Sequence, residues 1–380
     1  MKSTSFLRRI AGVGAAVAFS CAFGSAALAG PETVSGPGAE PACFQPWSAD
    51  IKYFQWPKKE GPYRIALVNG FVGNTWRIQM IKTAKAFVEQ PGIKEKVKEF
   101  KVVSTGTDAA AQLGAIEDFI NQGFDAIVTI AVSPEGFDRV IRLADRNNVV
   151  IVPFDNVLDT DKVMMVNENQ YEMGVMSAEF LLKETGKTSG KILEVRGLPG
   201  NSVDRDRHLG FQDTMKKAGN FEIVEIVGNW DDGTAQKATA DALAVHGQFD
   251  AVFTQGGSTG TVRAFIDAGH PMVPMAGEAE NGFRKLIAAK KGEGLKGLSY
   301  GQSPGLVAIS IKAAISALEG NPMPQLISVP IPVADYNTLE DGKNFWSDLT
   351  DNFFTPNEFP PCGVNVTAVE IMAKSEADVK

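Results

Sequence analysis

Arg64-Ile65-Ala66-Leu67-Val68, with Val72-Gly73-Asn74-Thr75-Trp76-Arg77 just after it, and Val149-Val150-Ile151-Val152-Pro153, with Phe154-Asp155-Asn156 after it, decide how this chain is read. Each opens with an apolar run of strand length, short enough for a strand buried on both faces of a parallel sheet. Each run ends in polar and aromatic side chains. Open α/β sheets bind ligands outside the carboxyl ends of their strands, so these two ends mark the candidate site.

The same pattern extends outward. Strands are expected at 64–68, 100–104, 125–131, 149–154, 190–195, 222–227, 250–254, 272–276, 296–300 and 326–332, and helices between them at 76–88, 171–183, 203–217, 234–245, 259–268 and 306–318. This alternation implies parallel sheets with helices on both faces and right-handed crossovers. So many strands exceed one ordinary core, which gives two domains. An internal echo agrees: Gln122-Gly123-Phe124-Asp125-Ala126-Ile127-Val128-Thr129 resembles Gly247-Gln248-Phe249-Asp250-Ala251-Val252-Phe253-Thr254, each a strand entry.

The two ends read differently. Lys2, Arg8 and Arg9 precede a run of Ala, Val, Phe and Gly over 10–27, and Ala27-Leu28-Ala29 has the small-x-small form of a signal-peptidase site. An export signal over 1–29, cleaved after Ala29 into the periplasm, would take the formal charge from −8 to −11. Such an acidic chain argues against nucleic acid or an anionic membrane as partner. Cys43 and Cys362 would remain, and an oxidising compartment favours a disulfide between them; neither has a second Cys or a His at metal-ligand spacing. Residues 30–61, rich in Pro, carry Trp47, Tyr53, Phe54 and Trp56 and read as an arm packed on the body. Residues 337–380, rich in Asp, Asn, Phe and Pro, read as a second arm.

No motif commits the chain to catalysis. Gly186-Lys187-Thr188 ends a helix, whereas a phosphate loop opens one, and no G-x-G-x-x-G follows the first strand. No cofactor or metal is expected. Gly256-Gly257-Ser258-Thr259-Gly260 matches the nucleophile elbow, which makes a secreted serine hydrolase using Ser258 the enzyme alternative. His270 is the only histidine downstream, and it leaves no room for the acid that must precede it. Ser258 reads instead as the N-cap of 259–268. What remains suits capture of a small neutral polyhydroxylated ligand. Trp76 and Trp230 offer rings for C–H faces, and Asn74, Asp155, Arg207 and Gln302 offer groups for hydroxyls.

Over roughly 62–335 the chain resembles the type I periplasmic binding proteins of sugar ABC transporters, the ribose-binding-protein-like group. Val72-Gly73-Asn74-Thr75-Trp76 stands at the family's polar-Asn-x-aromatic turn, and Asp155 at its strand-end aspartate. Arg205-Asp206-Arg207-His208-Leu209-Gly210-Phe211 matches its Arg-x-Arg-x-x-Gly-Phe helix; Trp230 and Gln302 match its second aromatic and its hinge glutamine. Asn156 stands where the family has Arg, and Gly256-Gly257 where Asn-Asp is usual. In Gly277-Glu278-Ala279-Glu280-Asn281 either Glu278 or Glu280 replaces the family's Asp.

The resemblance implies an α/β fold of two doubly wound parallel-sheet domains joined by a three-strand hinge, with the two arms as additions. One lobe would comprise 62–167 and 303–328, the other 168–302 and 329–336, with crossovers near 166–168, 301–304 and 326–329. Asn74, Trp76, Asp155 and Asn156 would meet Arg207, Trp230, Gly256 and Glu278 across a closing cleft, with Gln302 at the hinge. The implied ligand is a sugar, polyol or cyclitol. The implied partner of this monomer is an ABC permease, or alternatively a chemoreceptor or sensor kinase.

Overall fold

The computed structural model describes residues 30–375; the expected export signal at 1–29, with its cleavage after Ala29, and residues 376–380 lie outside them. In the first sheet the strands stand in the order Val97–Ser104, Tyr63–Asn69, Ala126–Thr129 and Val150–Pro153, all parallel. In the second the order is Asn220–Val227, Ser189–Arg196, Ala251–Thr254, Met275–Glu278 and Gly297–Tyr300, again parallel. Val333–Asp335 closes its far edge antiparallel.

Each sheet has an apolar layer on both faces, which is why its strands read as unbroken apolar runs. Along Tyr63–Asn69, Ile65 and Leu67 enter one cluster while Ala66 and Val68 enter the other. The two-residue period of a strand sends neighbours to opposite faces. The helix Leu306–Leu318 is buried along nearly its whole length against one face of the first sheet.

The internal echo has a structural counterpart. Ala126–Thr129 and Ala251–Thr254 occupy the third position of their sheets. Asp125 accepts from the Arg64 amide at 2.9 Å and Asp250 from the Lys191 amide at 2.8 Å. In each half, the aspartate entering the third strand ties down the entry of the first.

Proline moves two expected boundaries. The 272–276 strand is in fact Met275–Glu278, which begins just after Pro274. The 326–332 segment divides into Leu326–Val329 and Val333–Asp335, with Pro330 and Pro332 between them. A proline has no N–H for the ladder. The helices Ala109–Asn121, Asp138–Asn147 and Asn281–Lys290 complete the alternation.

Met165–Glu168 and Leu326–Val329 run side by side and parallel between the two sheets, and Gln45–Pro46 of the N-terminal arm pairs antiparallel with the latter. Phe54 and Trp56 of that arm are buried with their rings edge-on. The disulfide Cys43–Cys362 joins the two arms, as the cysteine count led us to expect. The short helix Ala368–Met372 is started by a Thr367–Glu370 capping box.

Candidate functional site

Both strand ends that opened the sequence reading reach one cavity of about 40 Å³. Asn74, Trp76, Asp155, Asn156, Arg207, Trp230, Glu278 and Gln302 all line it. Gly256 does not; it lies behind the wall, where an added Cβ would stand 2.8 Å from the Trp230 ring and 3.0 Å from the Glu278 carboxylate. Thr75, Arg77, Val203 and Phe354 also line the cavity and were not singled out from sequence.

The first-sheet wall is built from turns. Asn74 caps the helix Thr75–Phe87, its side-chain oxygen accepting from the Arg77 amide at 3.0 Å. Trp76 follows in the first turn, and its Nε1 donates to the Gln302 carbonyl at 2.9 Å, which fixes the indole against the hinge. Asp155 has φ 60°, a left-handed turn that Asp tolerates, and its amide donates to the Val166 carbonyl at 3.0 Å. Asn156 is held from behind, donating to the Ala131 carbonyl at 2.9 Å.

The second-sheet wall centres on Arg207, whose side chain is fully buried. Its Nε donates to Gln170 Oε1 at 2.9 Å, and one terminal nitrogen to Gln302 Oε1 at 2.7 Å. The other reaches the Gln255 carbonyl and Glu278 Oε1, both at 2.6 Å. A planar donor fork held on four acceptors has one orientation. Gln170 is a positioning residue that no motif singled out. Trp230 stands opposite, at φ 55°, unusual for a bulky side chain. Gly197 makes this possible, since a Cβ there would meet the indole at 2.2 Å.

The choice between the two glutamates is resolved by geometry. Glu278 lines the cavity and pairs with Arg207, whereas Glu280 turns away. Its carboxylate accepts from the Ser258 and Thr259 amides at 2.9 and 2.8 Å, closing the N-terminus of the helix Ser258–Asp267. This corrects the expectation that Ser258 is the N-cap. Gly257 takes that position at φ 71°, and the cap comes from a neighbouring loop instead. Ser258 Oγ accepts from the Glu278 amide at 3.2 Å, and His270 is engaged by Pro271 and the Phe249 amide, so no nucleophile–base pair forms.

The cavity holds two cations and two carboxyls. Burial pushes Asp155 up to about 7, with Arg77 and Arg207 opposing and Glu278 reinforcing. Burial likewise pushes Glu278 up, against the pull of Arg207. Arg77, deeply buried, is lowered to about 10 by desolvation despite the nearby Asp155. Its guanidinium donates to Asn69 at 2.9 Å and lies over Phe71 at 5.1 Å. Among the residues that line the cavity, two buried polar atoms have no hydrogen-bond partner in the protein: Asp155 Oδ1, an acceptor, and Trp230 Nε1, a donor. Glu194, His208 and Glu225 bring potential metal-ligand atoms within 4.8 Å of one another away from this cavity, but Arg196 already pairs with Glu225 at 2.9 Å among them.

A family model for the periplasmic binding protein domain matches residues 65–322, more than half of the chain. The chain belongs to that family. This periplasmic binding protein is 24% identical over 279 residues to the ribose import binding protein RbsB of Bacillus subtilis, covering 72% of this chain and 87% of that one. Two crystal structures share its fold. An ABC transporter solute-binding protein from Thermobispora bispora is 25% identical, covers 76% of this chain and 89% of its own, and has a TM-score of 0.66. One from Actinobacillus succinogenes, with bound D-allose, is 21% identical, covers 73% and 98%, and has a TM-score of 0.63. The periplasmic binding protein described here is therefore a solute-binding transport component and not an enzyme.

Proposed function

We propose that this protein captures a small neutral polyhydroxylated solute, a sugar, polyol or cyclitol, by closing its cleft, and delivers it to the permease of an ABC transporter. One observation carries the reading: two residues that line one cavity, Trp230 and Asp155, hold a buried donor, Nε1, and a buried acceptor, Oδ1, without partners in the protein. A hydroxyl both accepts and donates, so a polyol satisfies the two together, and aliphatic C–H faces meet Trp76 and Trp230. Opposed charges within the cavity, Arg207 with Glu278 and Arg77 near Asp155, favour a ligand without net charge. The relatives named above supply leads, ribose and D-allose.

In this reading Asn74, Trp76, Asp155 and Asn156 act from the lobe formed by 62–167 and 303–328. Arg207, Trp230 and Glu278 act from 168–302 with 329–336, Gly256 supports them, and Gln302 acts at the hinge. Only the closed state makes both sets of contacts, so the ligand selects closure. The protein works as a monomer after export to the periplasm and cleavage after Ala29. Handing the bound form to a chemoreceptor or sensor kinase would use the same binding chemistry. The test is a thermal-shift screen of the protein lacking 1–29 against pentoses, hexoses, polyols and inositols. A ligand at a hundred times its dissociation constant adds about 2.7 kcal/mol. A single class of hits, lost in Asp155→Ala and Arg207→Ala, supports the reading. A folded protein that answers none of the panel overturns it.

A further inference from the structure

Beyond Asp335 the chain first lies on the second lobe. The Asn281 side-chain amide donates to the carbonyls of Trp346, Leu349 and Thr350 at 2.8, 3.2 and 3.1 Å. Asp351 takes salt bridges from Arg263 at 2.5 Å and Lys285 at 3.2 Å, and the Thr355 amide donates to the Ala279 carbonyl at 3.1 Å. From Asn357 onward the same arm belongs to the first lobe. Lys312 donates to the Cys362 carbonyl at 2.6 Å, Gln90 to the Asn365 carbonyl at 2.8 Å, and Cys362 is bonded to Cys43. The arm is therefore a fourth crossing between the lobes, in addition to the three of the hinge.

Phe354 sits at the crossing. Its amide donates to Gln79 Oε1 at 2.8 Å and its carbonyl accepts from Gln79 Nε2 at 2.9 Å, both bonds buried. Gln79 lies on Thr75–Phe87, the helix that carries Asn74 and Trp76 at its start. On its other side the Phe354 backbone bridges to Glu280 of the second lobe. Phe354 lines both the candidate cavity and a second one of about 150 Å³ that reaches from Gly73 to Asp231. One residue is thus bonded to both lobes and forms part of the wall between them.

We propose that Gln79 and Phe354 form a latch, supplied by the C-terminal arm, that holds the cleft shut; the proposal rests on capture by closure. Opening draws the Thr75–Phe87 helix away from Asn281–Lys290. The 344–355 segment has many bonds to the second lobe, and toward that helix it has the Gln79 pair and the packing of Phe353 and Phe354 in the first lobe's apolar cluster, so that contact is what parts. Thr355-Pro356-Asn357 then flexes as a fourth hinge strand, while the disulfide keeps the base of the arm in place for re-closure. Bonds made only in the closed state raise its population, and the solute then has less closing work to drive.

The test needs no ligand. Spin labels on non-cysteine handles at the exposed positions Lys98 and Val245 report the interlobe distance in the protein lacking 1–29. Gln79→Met keeps the volume and removes both bonds to Phe354, along with the 3.3 Å bond from Gln79 Nε2 to Asn357 Oδ1; the open fraction should rise about tenfold. Arg263→Gln with Lys285→Gln, both at part-exposed positions, loosens the arm's hold on the second lobe and should move the distribution the same way by less, even if Gln79→Met fails to fold. Unchanged distributions in the folded variants overturn the latch. A silent sugar panel alongside a shifted distribution would instead count against the solute reading and leave the latch standing.

Discussion

Both lobes place a carboxyl at the end of the fourth strand of their sheet, and they use it in opposite ways. After Val150–Pro153 comes Asp155, with one oxygen unpaired and its ionisation pushed up to about 7. At the end of Met275–Glu278 comes Glu278, locked to Arg207 at 2.6 Å. The same position in a repeated architecture thus gives one group free to meet a ligand and one committed to holding an arginine still. Position in the fold decides where an acid stands; the charge facing it decides what the acid can do.

The hardest way to break this comparison is to remove Arg207. Arg207→Met strands Glu278 in the interior, and unfolding by denaturant should show a loss of about 3–5 kcal/mol, with sugar binding abolished in calorimetry. Asp155→Asn should abolish binding too, yet leave stability equal or higher, because burial outweighs the pull of Arg77 and Arg207 on the carboxyl it removes, and Oδ1 has no hydrogen-bond partner. Comparable destabilisation by both substitutions would erase the distinction between the lobes.

A third measurement sharpens it through pH. The folded-state value of Asp155, about 7, lies above its ordinary 3.8, so the native state holds that proton more tightly than the unfolded chain. Its contribution to stability is complete below pH 4 and falls as pH rises toward 7. Affinity for a sugar that donates to the carboxylate should move the other way, rising from pH 6 to 8 by less than tenfold per unit. The fall in stability should vanish in Asp155→Asn. The smallest effect belongs to Ser258→Ala, which loses one hydrogen bond to the Glu278 amide. It should lower stability by about 1 kcal/mol and leave binding unchanged.

What could be read from the sequence was what a short window contains. The alternation of apolar runs gave the layers, and the residues after two of those runs gave half of the cavity wall. Asp125 and Asp250 were visible as an echo because each acts on the strand entry beside it. Glu278 and Glu280 could not be told apart, since two residues along the chain one meets Arg207 and the other a helix N-terminus, both brought there by tertiary structure. Ser258 was assigned a cap that a carboxylate from another loop provides. Phe354 was beyond reach: it lies in a segment without periodicity and meets Gln79 across 275 residues. Arg77 stood beside Trp76, but only the fold showed how deeply its charge is buried.

The bond between Cys43 and Cys362 spans 319 residues, so it encloses nearly everything between the two arms in one covalent ring. A chain delivered amino end first carries an unmatched thiol through almost its entire emergence. The partner arrives only after both sheets, the three hinge passages and the crossing arm have appeared. Closure of the ring is thus a signature of completed synthesis, and a product truncated anywhere before Cys362 is marked by a thiol that has no native mate.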